Sequence, residues 1–188
     1  MIGGTWRYFL YLYGLLIDIL RVCDESNRLS ASGINRTQFP LQYLGRWYFL
    51  AAAAAPGTEA LDIFTIMDNA EFVVRESSER EKLYFRAAIR VKDGSCVPRK
   101  WIYIFTDRSI ELRTEGHPDR ITELFSTNCH HCIILKEREK NNSRLLLYAR
   151  SSQLEEEFME EFKNKSKCQG FKDILVIPQQ QEYCHFEE

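Results

Sequence analysis

Basic and aromatic side chains alternate along two stretches of this 188-residue sequence. In an extended strand every second residue faces the same side, so each stretch presents one mixed face. One face carries Arg99, Trp101, Tyr103 and Phe105, and the other carries Arg144, Leu146, Tyr148 and Arg150. A guanidinium binds phosphate or carboxylate, and aromatic rings bury an apolar tail. If these faces line a cavity, they predict a binding site for an amphipathic anion.

A buried tail contributes ~0.8 kcal/mol per methylene, so the tail would supply most of the affinity and the head group the selectivity. A third stretch, Lys82–Val91, places Tyr84, Arg86, Ala88 and Arg90 opposite Phe85, Ala87, Ile89 and Val91. Periodicity alone does not say which face points inward. The alternative is a solvated outer face whose arginines lie over apolar neighbours.

Short β-like runs separated by turns carry these faces. After a first strand that opens at Gly45-Arg46-Trp47, the predicted strands are Phe64–Arg75, Lys82–Val91, Val97–Thr106, Ser109–Thr114, Arg120–Ser126, Ile133–Glu137 and Arg144–Ser151. Asp93-Gly94 is a strong hairpin signal. Eight short strands at spacings near ten residues predict a sandwich or a barrel.

One amphipathic helix is predicted over Ser152–Lys167, because Leu154, Phe158 and Phe162 recur every four residues. Ser151 or Ser152 would cap it, and Gly170 would end it. A last strand, Phe171–Ile177, follows.

The bulk composition indicates a secreted globular protein. A net charge of −2 argues against a nucleic-acid partner. Six cysteines favour an oxidising compartment, although they allow about 15 connectivities. Three glycosylation sequons begin at Asn35, Asn141 and Asn164.

The N-terminus resembles a secretory signal, with Arg7 before the apolar run Tyr8–Ile17. The run is too short to span a bilayer. No small-x-small cleavage site follows in Leu20-Arg21-Val22-Cys23. Residues 1–22 are therefore interpreted as a retained signal that anchors the protein in lipid. The alternative is ordinary cleavage at a poor site, near Cys23.

Four sequence blocks together closely resemble the apolipoprotein M family, which are lipocalins of plasma lipoproteins. They are Gly45–Phe49, Lys92–Tyr103, Leu112–Gly116 and Thr122–Ser126, and the similarity runs nearly end to end. The resemblance implies an all-β fold: an eight-stranded antiparallel up-and-down lipocalin barrel over residues 23–188, with one C-terminal α-helix and a short ninth strand. An N-terminal apolar helix would precede it. The Gly45-x-Trp47 signature would then lie at the barrel floor, with Arg150 stacked over Trp47.

The resemblance also implies a function. The family carries sphingosine-1-phosphate in its barrel and rides mainly on high-density lipoprotein, held by an uncleaved signal peptide in the phospholipid monolayer. Its phosphate site carries over to Arg99, Trp101, Arg144 and Tyr148, with Glu137 nearby. Where the family has a second phosphate-contacting arginine, this chain has His117. We therefore expect a secreted, monomeric lipid carrier. Its affinity for phosphate-bearing lipids should be weaker and more pH-dependent than that of family members with arginine at this position.

Three other functions are weighed against this expectation: a carrier of neutral or carboxylate lipids such as retinoids or fatty acids, a structural apolipoprotein without cargo, and an enzyme that isomerises lipids through a lumenal thiol. The enzyme is disfavoured, because all six cysteines have plausible structural or loop roles. No cofactor is expected.

The cysteine pairing implied by the resemblance is Cys23 with Cys168 and Cys96 with Cys184. The family's third bridge would join Cys129 to the helix, but Phe158 occupies that helix position. This chain has Cys132 instead. Within Cys129-His130-His131-Cys132, the two cysteines would form a tight local disulfide or remain free thiols. Ligands packed this closely rarely complete a zinc tetrahedron, so no metal is expected.

Overall fold

The structure, a computed structural model, describes residues 3–35, 37–106, 109–140 and 142–186. Two α-helices, α1 (Gly3–Val22) and α2 (Glu156–Cys168), flank most of the strands. The strands are β1 (Gly45–Ala54), β2 (Met67–Glu76), β3 (Lys82–Val91), β4 (Cys96–Phe105), β5 (Glu111–Thr114), β6 (His117–Phe125), β7 (Cys132–Glu139), β8 (Asn142–Ala149) and β9 (Asp173–Val176). The predicted strand over Phe64–Arg75 begins late, because Glu59–Phe64 forms a 3-10 helix.

The strands close into a barrel. Each of β2 to β7 pairs antiparallel with the strand that follows it, and β8 pairs with β1. The first half of β1 also pairs with β2, which closes the ring, and its second half pairs with β9. Closure leaves no open edge among the eight barrel strands. The expectation of an eight-stranded antiparallel barrel with a ninth strand is confirmed.

The lumen receives one face of every barrel strand. Phe85, Ala87 and Ile89 of β3 belong to the inner core, together with Phe72 and Tyr103 of the neighbouring strands. The mixed faces of β4 and β8 therefore point inward. The alternate residues of β3, which include Arg86 and Arg90, lie on the outside, where Arg90 donates to the carbonyls of Gly94 and Glu182.

Helix α2 packs on the outside of β1. Ala51 and Ala53 are buried beneath it, and they join Phe162 in a second core cluster. Small side chains at alternate positions of β1 let the helix lie close to the sheet. The helix begins four residues later than predicted. Its N-cap is Glu155, which makes no side-chain capping bond, so the expected serine cap at Ser151 or Ser152 is wrong.

The barrel floor is built around Trp47. The guanidinium of Arg150 lies 3.8 Å from the centroid of the Trp47 ring. It also donates to the carbonyls of Arg46 and Gln42, at 2.7 and 2.8 Å. Gly45 has φ +91°, and a Cβ there would approach Arg150 Nη1 at 3.5 Å. This cation–π contact contributes roughly 0.5–2 kcal/mol, and burial lowers the pKa of Arg150.

Three disulfides join Cys23 to Cys168, Cys96 to Cys184 and Cys129 to Cys132. The second ties residues 177–186, the C-terminal strap, across the outside of the barrel. Backbone groups of the strap bond to β2: the Gln179 N–H donates to the Asp68 carbonyl, and Asn69 Nδ2 donates to the Gln181 carbonyl.

Helix α1 leaves large apolar side chains uncovered on all sides. Trp6, Tyr8 and Phe9 are each 68–69% exposed, and Leu10 to Leu16 follow the same pattern. The Cys23–Cys168 disulfide fastens the residue after α1 to the end of α2. Among the described residues, no helix combines the length and apolar character needed to cross a membrane.

The sequons differ in accessibility. Asn35 is exposed in a turn, where its side chain accepts from the Thr37 N–H and hydroxyl. Asn164 is half-buried within α2, and Ser166 of the same sequon is fully buried. Asn141 lies outside the described residues. Glycosylation normally requires an exposed segment, so Asn35 is the better candidate of the two.

Candidate functional site

The lower part of the lumen is apolar. Its open centre measures about 50 Å³, and all unfilled space between its lining atoms amounts to about 530 Å³. The ring-bearing residues that line it are Phe39, Tyr43, Trp47, Phe72, Phe85, Trp101, Tyr103 and Tyr148. Ligand sites usually enclose about 300–1,000 Å³, far more than the open centre of this lumen. A lipid tail would therefore enter only as these rings move apart.

A partly buried ion pair lies on the lumenal face toward the barrel mouth. The Arg144 guanidinium donates through Nε and Nη2 to Glu137 Oε2, at 2.9 and 2.7 Å, and through Nη1 to the Ala60 carbonyl. The ring of Phe64 packs against this guanidinium at 4.7 Å. The two side chains are 19% and 12% exposed. Because the pair is shielded from water, its charges act strongly on anything entering the lumen.

A second ion pair lies beside the first. Arg120 on β6 donates through Nε and Nη2 to Glu139 Oε2, at 3.2 and 2.8 Å. These four residues, Arg120, Glu137, Glu139 and Arg144, form the charged cluster. The hydrogen bond from Arg120 lowers the pKa of Glu139, and the charges of His117 and Arg144 lower it further.

Two tyrosines connect the charged cluster to the apolar lumen. The Tyr103 hydroxyl donates to Glu137 Oε1 at 3.4 Å. Tyr148 is wedged between Phe49 and Phe72. Burial raises the pKa of both phenols, and the charge of Glu137 raises it further. Both are therefore neutral hydrogen-bond donors at physiological pH.

Several buried polar atoms in the lumen lack hydrogen-bond partners among the described residues. They are Trp101 Nε1, Thr114 Oγ1 and Thr122 Oγ1. Trp101 and Thr122 lie close enough to the Tyr103 hydroxyl to lower its pKa slightly, without meeting hydrogen-bond geometry. An unsatisfied buried polar group costs about 1–3 kcal/mol. A polar ligand group that reached these atoms would recover that cost.

Not all of the predicted site residues come together. The lumen is surrounded by four of them: Glu137, Arg144, Tyr148 and Trp101. Arg99, in contrast, is exposed near the start of β4, and its guanidinium donates to the Pro98 carbonyl. His117 is also exposed, opposite Thr114 across the β5–β6 turn. Its charge acts on Glu139, which places it near the charged cluster.

Sequence reasoning missed Arg120, Glu139 and Thr122. The signal was present: Arg120, Thr122 and Leu124 alternate along β6, and Glu139 follows Glu137 on the inner face of β7. The predicted strand over Ile133–Glu137 ended too early to include Glu139.

The Cys129-His130-His131-Cys132 segment lies at the start of β7. Cys129, His131 and Cys132 offer ligand atoms within 4.8 Å of one another. The two sulfurs, however, are joined to each other. A disulfide sulfur is not a thiolate ligand, so the segment as it stands offers imidazoles alone.

The barrel thus combines an apolar lumen, a charged cluster with both signs and several unfulfilled donors. This arrangement suits a long apolar chain that ends in a small zwitterionic or anionic head group.

Comparison with known proteins agrees with this geometry. A family model described as the ApoM domain matches residues 1–188. Apolipoprotein M of mouse and of rat are each 44% identical over 186 residues, which is 98% of this chain and 97% of theirs.

Solved structures support the fold. The siderocalin Ex-FABP, described as acting through dual ligand specificities, superposes with a TM-score of 0.63 at 17% identity over 76% of this chain and 97% of that chain. Siderocalin Q83 superposes equally well at 18% identity, over 78% of this chain and 95% of that one. The whole-length family match and the closely similar relatives lead to one conclusion: this chain belongs to the apolipoprotein M family, a family of lipid-binding carriers with the lipocalin fold and not of enzymes.

Proposed function

We propose that this protein carries sphingosine-1-phosphate or a similar lysophospholipid in its barrel, with the tail in the apolar lumen and the phosphate near the mouth. The observation that carries the proposal is the Glu137–Arg144 pair on the lumenal wall, above an aromatic lumen. Glu137 would bind the ammonium of the lipid, and Arg144 would turn to its phosphate. A neutral lipid would leave both charges as they are and would gain nothing from them.

The lumen has the chemistry for a tail but a small open volume. Each buried methylene contributes ~0.8 kcal/mol, which offsets the cost of moving aromatic side chains. Trp101 stacks on Phe85 with centroids 5.5 Å apart, and it lies edge-on to Phe72. Movement of these rings would bring the unpartnered Trp101 Nε1 within reach of a head group. Trp101 then becomes an intrinsic fluorescent reporter of loading.

We further propose that α1 holds the protein in the phospholipid monolayer of a secreted lipoprotein particle. The exposed apolar side chains of Trp6, Phe9 and Leu12 support this, because water would otherwise surround them. The disulfide at Cys23 would keep the barrel fastened to the anchor. A cargo-free structural role is the alternative, and binding measurements separate the two.

Arg99 has the lumenal parity of Trp101, and its guanidinium donates to a backbone carbonyl, so we propose that it turns to the phosphate when a lipid is bound, and its replacement tests this. Arg99→Ala is expected to lower the affinity for sphingosine-1-phosphate by roughly tenfold, because a charge-assisted hydrogen bond contributes about 1.5–3 kcal/mol. Affinity for sphingosine and for an apolar dye should stay unchanged. Tryptophan quenching titrations would report all three affinities.

Lys100→Ala is the matched control, since it removes the same charge from the next residue, which faces the outside of β4. Equal loss of lipid and dye binding in Arg99→Ala would assign Arg99 a structural role. Equal wild-type affinity for sphingosine and its phosphate would instead mean that the barrel does not recognise the phosphate.

A further inference from the structure

We propose that Arg120 forms a second anion-binding position at the barrel mouth, and that Glu139 occupies it until a phosphate monoester displaces the carboxylate. The inference rests on the proposed function, because it concerns the head group of the same lipid. It adds a residue that the family resemblance did not supply. It also assigns Glu139 the part of an internal competitor.

The position of Arg120 supports the proposal. Arg120 pairs in register with Glu139 between β6 and β7, and the next inward pair is Thr122 with Glu137. Arg120 therefore lies one step above the Glu137 carboxylate, which acts on it electrostatically. Arg120 on β6 and Arg144 on β8 lie on either side of β7, so a head group held by Arg144 would lie two strands from Arg120.

The Arg120–Glu139 pair is suited to exchange. Its side chains are 30% and 37% exposed, more than those of the Arg144–Glu137 pair. Burial is the largest single influence and opposes the charge of Arg120, but the bond to Glu139 and the charges of Glu137 and Glu139 together outweigh it and raise the pKa of Arg120. Arg120 thus enters binding as a full cation. A phosphate brings more negative charge than a carboxylate and accepts the same two donors, so it is the stronger partner.

A second observation points to a ligand at this place. Thr122 is fully buried two residues along the same face of β6, and its hydroxyl has no hydrogen-bond partner among the described residues. Thr114 Oγ1 on the neighbouring strand is likewise buried and unpartnered. Phosphate oxygens accept readily from hydroxyls and guanidinium groups together. Within the part of the chain that the structure describes, neither hydroxyl has an acceptor, and the guanidinium of Arg120 donates to Glu139.

The experiment measures the ratio of affinities for sphingosine-1-phosphate and sphingosine by tryptophan quenching. Arg120→Gln is expected to lower this ratio by about tenfold. Glu139→Gln should raise it by roughly two- to fivefold, because the competing carboxylate is gone. In the double variant, Glu139→Gln should have no further effect, since its competitor role depends on Arg120.

The outer face of the same two strands offers a matched control. Arg138 on β7 pairs with Glu123 on β6 at 3.2 Å, outside the lumen. Arg138→Gln and Glu123→Gln remove an equivalent ion pair between the same strands, and they should leave the ratio unchanged. Retained dye binding in every variant shows that the barrel is folded.

The outcomes separate the two proposals. If wild-type protein does not prefer the phosphate lipid, the proposed function fails. If wild-type protein prefers it and Arg120→Gln leaves the preference intact, only the present inference fails. A lower ratio in Glu139→Gln would also overturn it, because it would mean that the pair acts as a structural unit.

Discussion

At the scale of single residues, recognition depends on charges of both signs held in a small lumenal space. Arg144 is engaged by Glu137 and by the Ala60 carbonyl, so an anion has to exchange partners to reach it. Exchange of equivalent bonds favours the ligand with the denser charge. Selectivity for phosphate over carboxylate follows from this competition, whereas affinity follows from the tail.

His117 is predicted to limit the affinity for phosphate-bearing lipids, because it stands where the family has a second phosphate-contacting arginine. It lies near the charged cluster and acts electrostatically on Glu139. His117→Arg places a permanent cation there, and it should raise the affinity for sphingosine-1-phosphate roughly two- to fivefold at pH 8 in tryptophan quenching titrations.

His117→Gln provides the control, since it keeps a polar side chain without adding a charge. It should bind sphingosine-1-phosphate no more tightly than wild type at pH 8. Equal affinities of wild type and His117→Arg would contradict the prediction.

At the scale of elements, the strands position the site and the helices serve other purposes. Helix α2 covers the outside of β1 and also binds the N-terminal segment, because the buried Lys165 Nζ donates to the carbonyls of Ser26 and Arg28. The large apolar side chains between Trp6 and Leu16, which are the ones of α1 that the structure describes, are exposed. The contribution of α1 is therefore expected on a lipid surface.

Removal of α1 tests the anchor. A chain that begins at Cys23 keeps its disulfide to Cys168. It should no longer float with phosphatidylcholine vesicles, because each large apolar side chain removed with α1 would have contributed roughly 1.5–3 kcal/mol by burial in the lipid. Full-length protein should float. Binding of sphingosine-1-phosphate to the shortened chain should be retained, which shows an intact barrel. Equal flotation of both chains would exclude α1 as the anchor.

At the scale of the whole molecule, distant parts of the chain are held together covalently. The Cys96–Cys184 disulfide spans 88 residues and fixes the C-terminal strap across β2 and β3. The Cys129–Cys132 disulfide spans only 3 residues. A longer loop restricts the unfolded chain more strongly, so the two bridges should differ in their effect on stability.

Removal of each bridge is predicted to have unequal effects. Cys96→Ser with Cys184→Ser should lower the free energy of unfolding by roughly 2–3 kcal/mol more than Cys129→Ser with Cys132→Ser does. Urea denaturation under non-reducing conditions would measure both. Equal losses would show that strap contacts other than the disulfide dominate.

The sequence by itself determined the strand count and which side chains share a face of each strand, because alternation with period two is a local property. The family resemblance favoured a barrel over a sandwich. It also marked Trp47 and Arg150 as partners. The sequence did not determine the start of α2, since burial against β1 begins only at the residues that reach the sheet.

Only the tertiary structure decided which faces point inward, and that Arg120 and Glu139 join Glu137 and Arg144. These residues come from three different strands, and they meet because of strand register and barrel closure. Register depends on pairing between segments that are distant in sequence, and no single strand carries that information. Arg99 shares the parity of Trp101 but lies exposed near the start of β4, because its height in the barrel depends on strand register and not on parity.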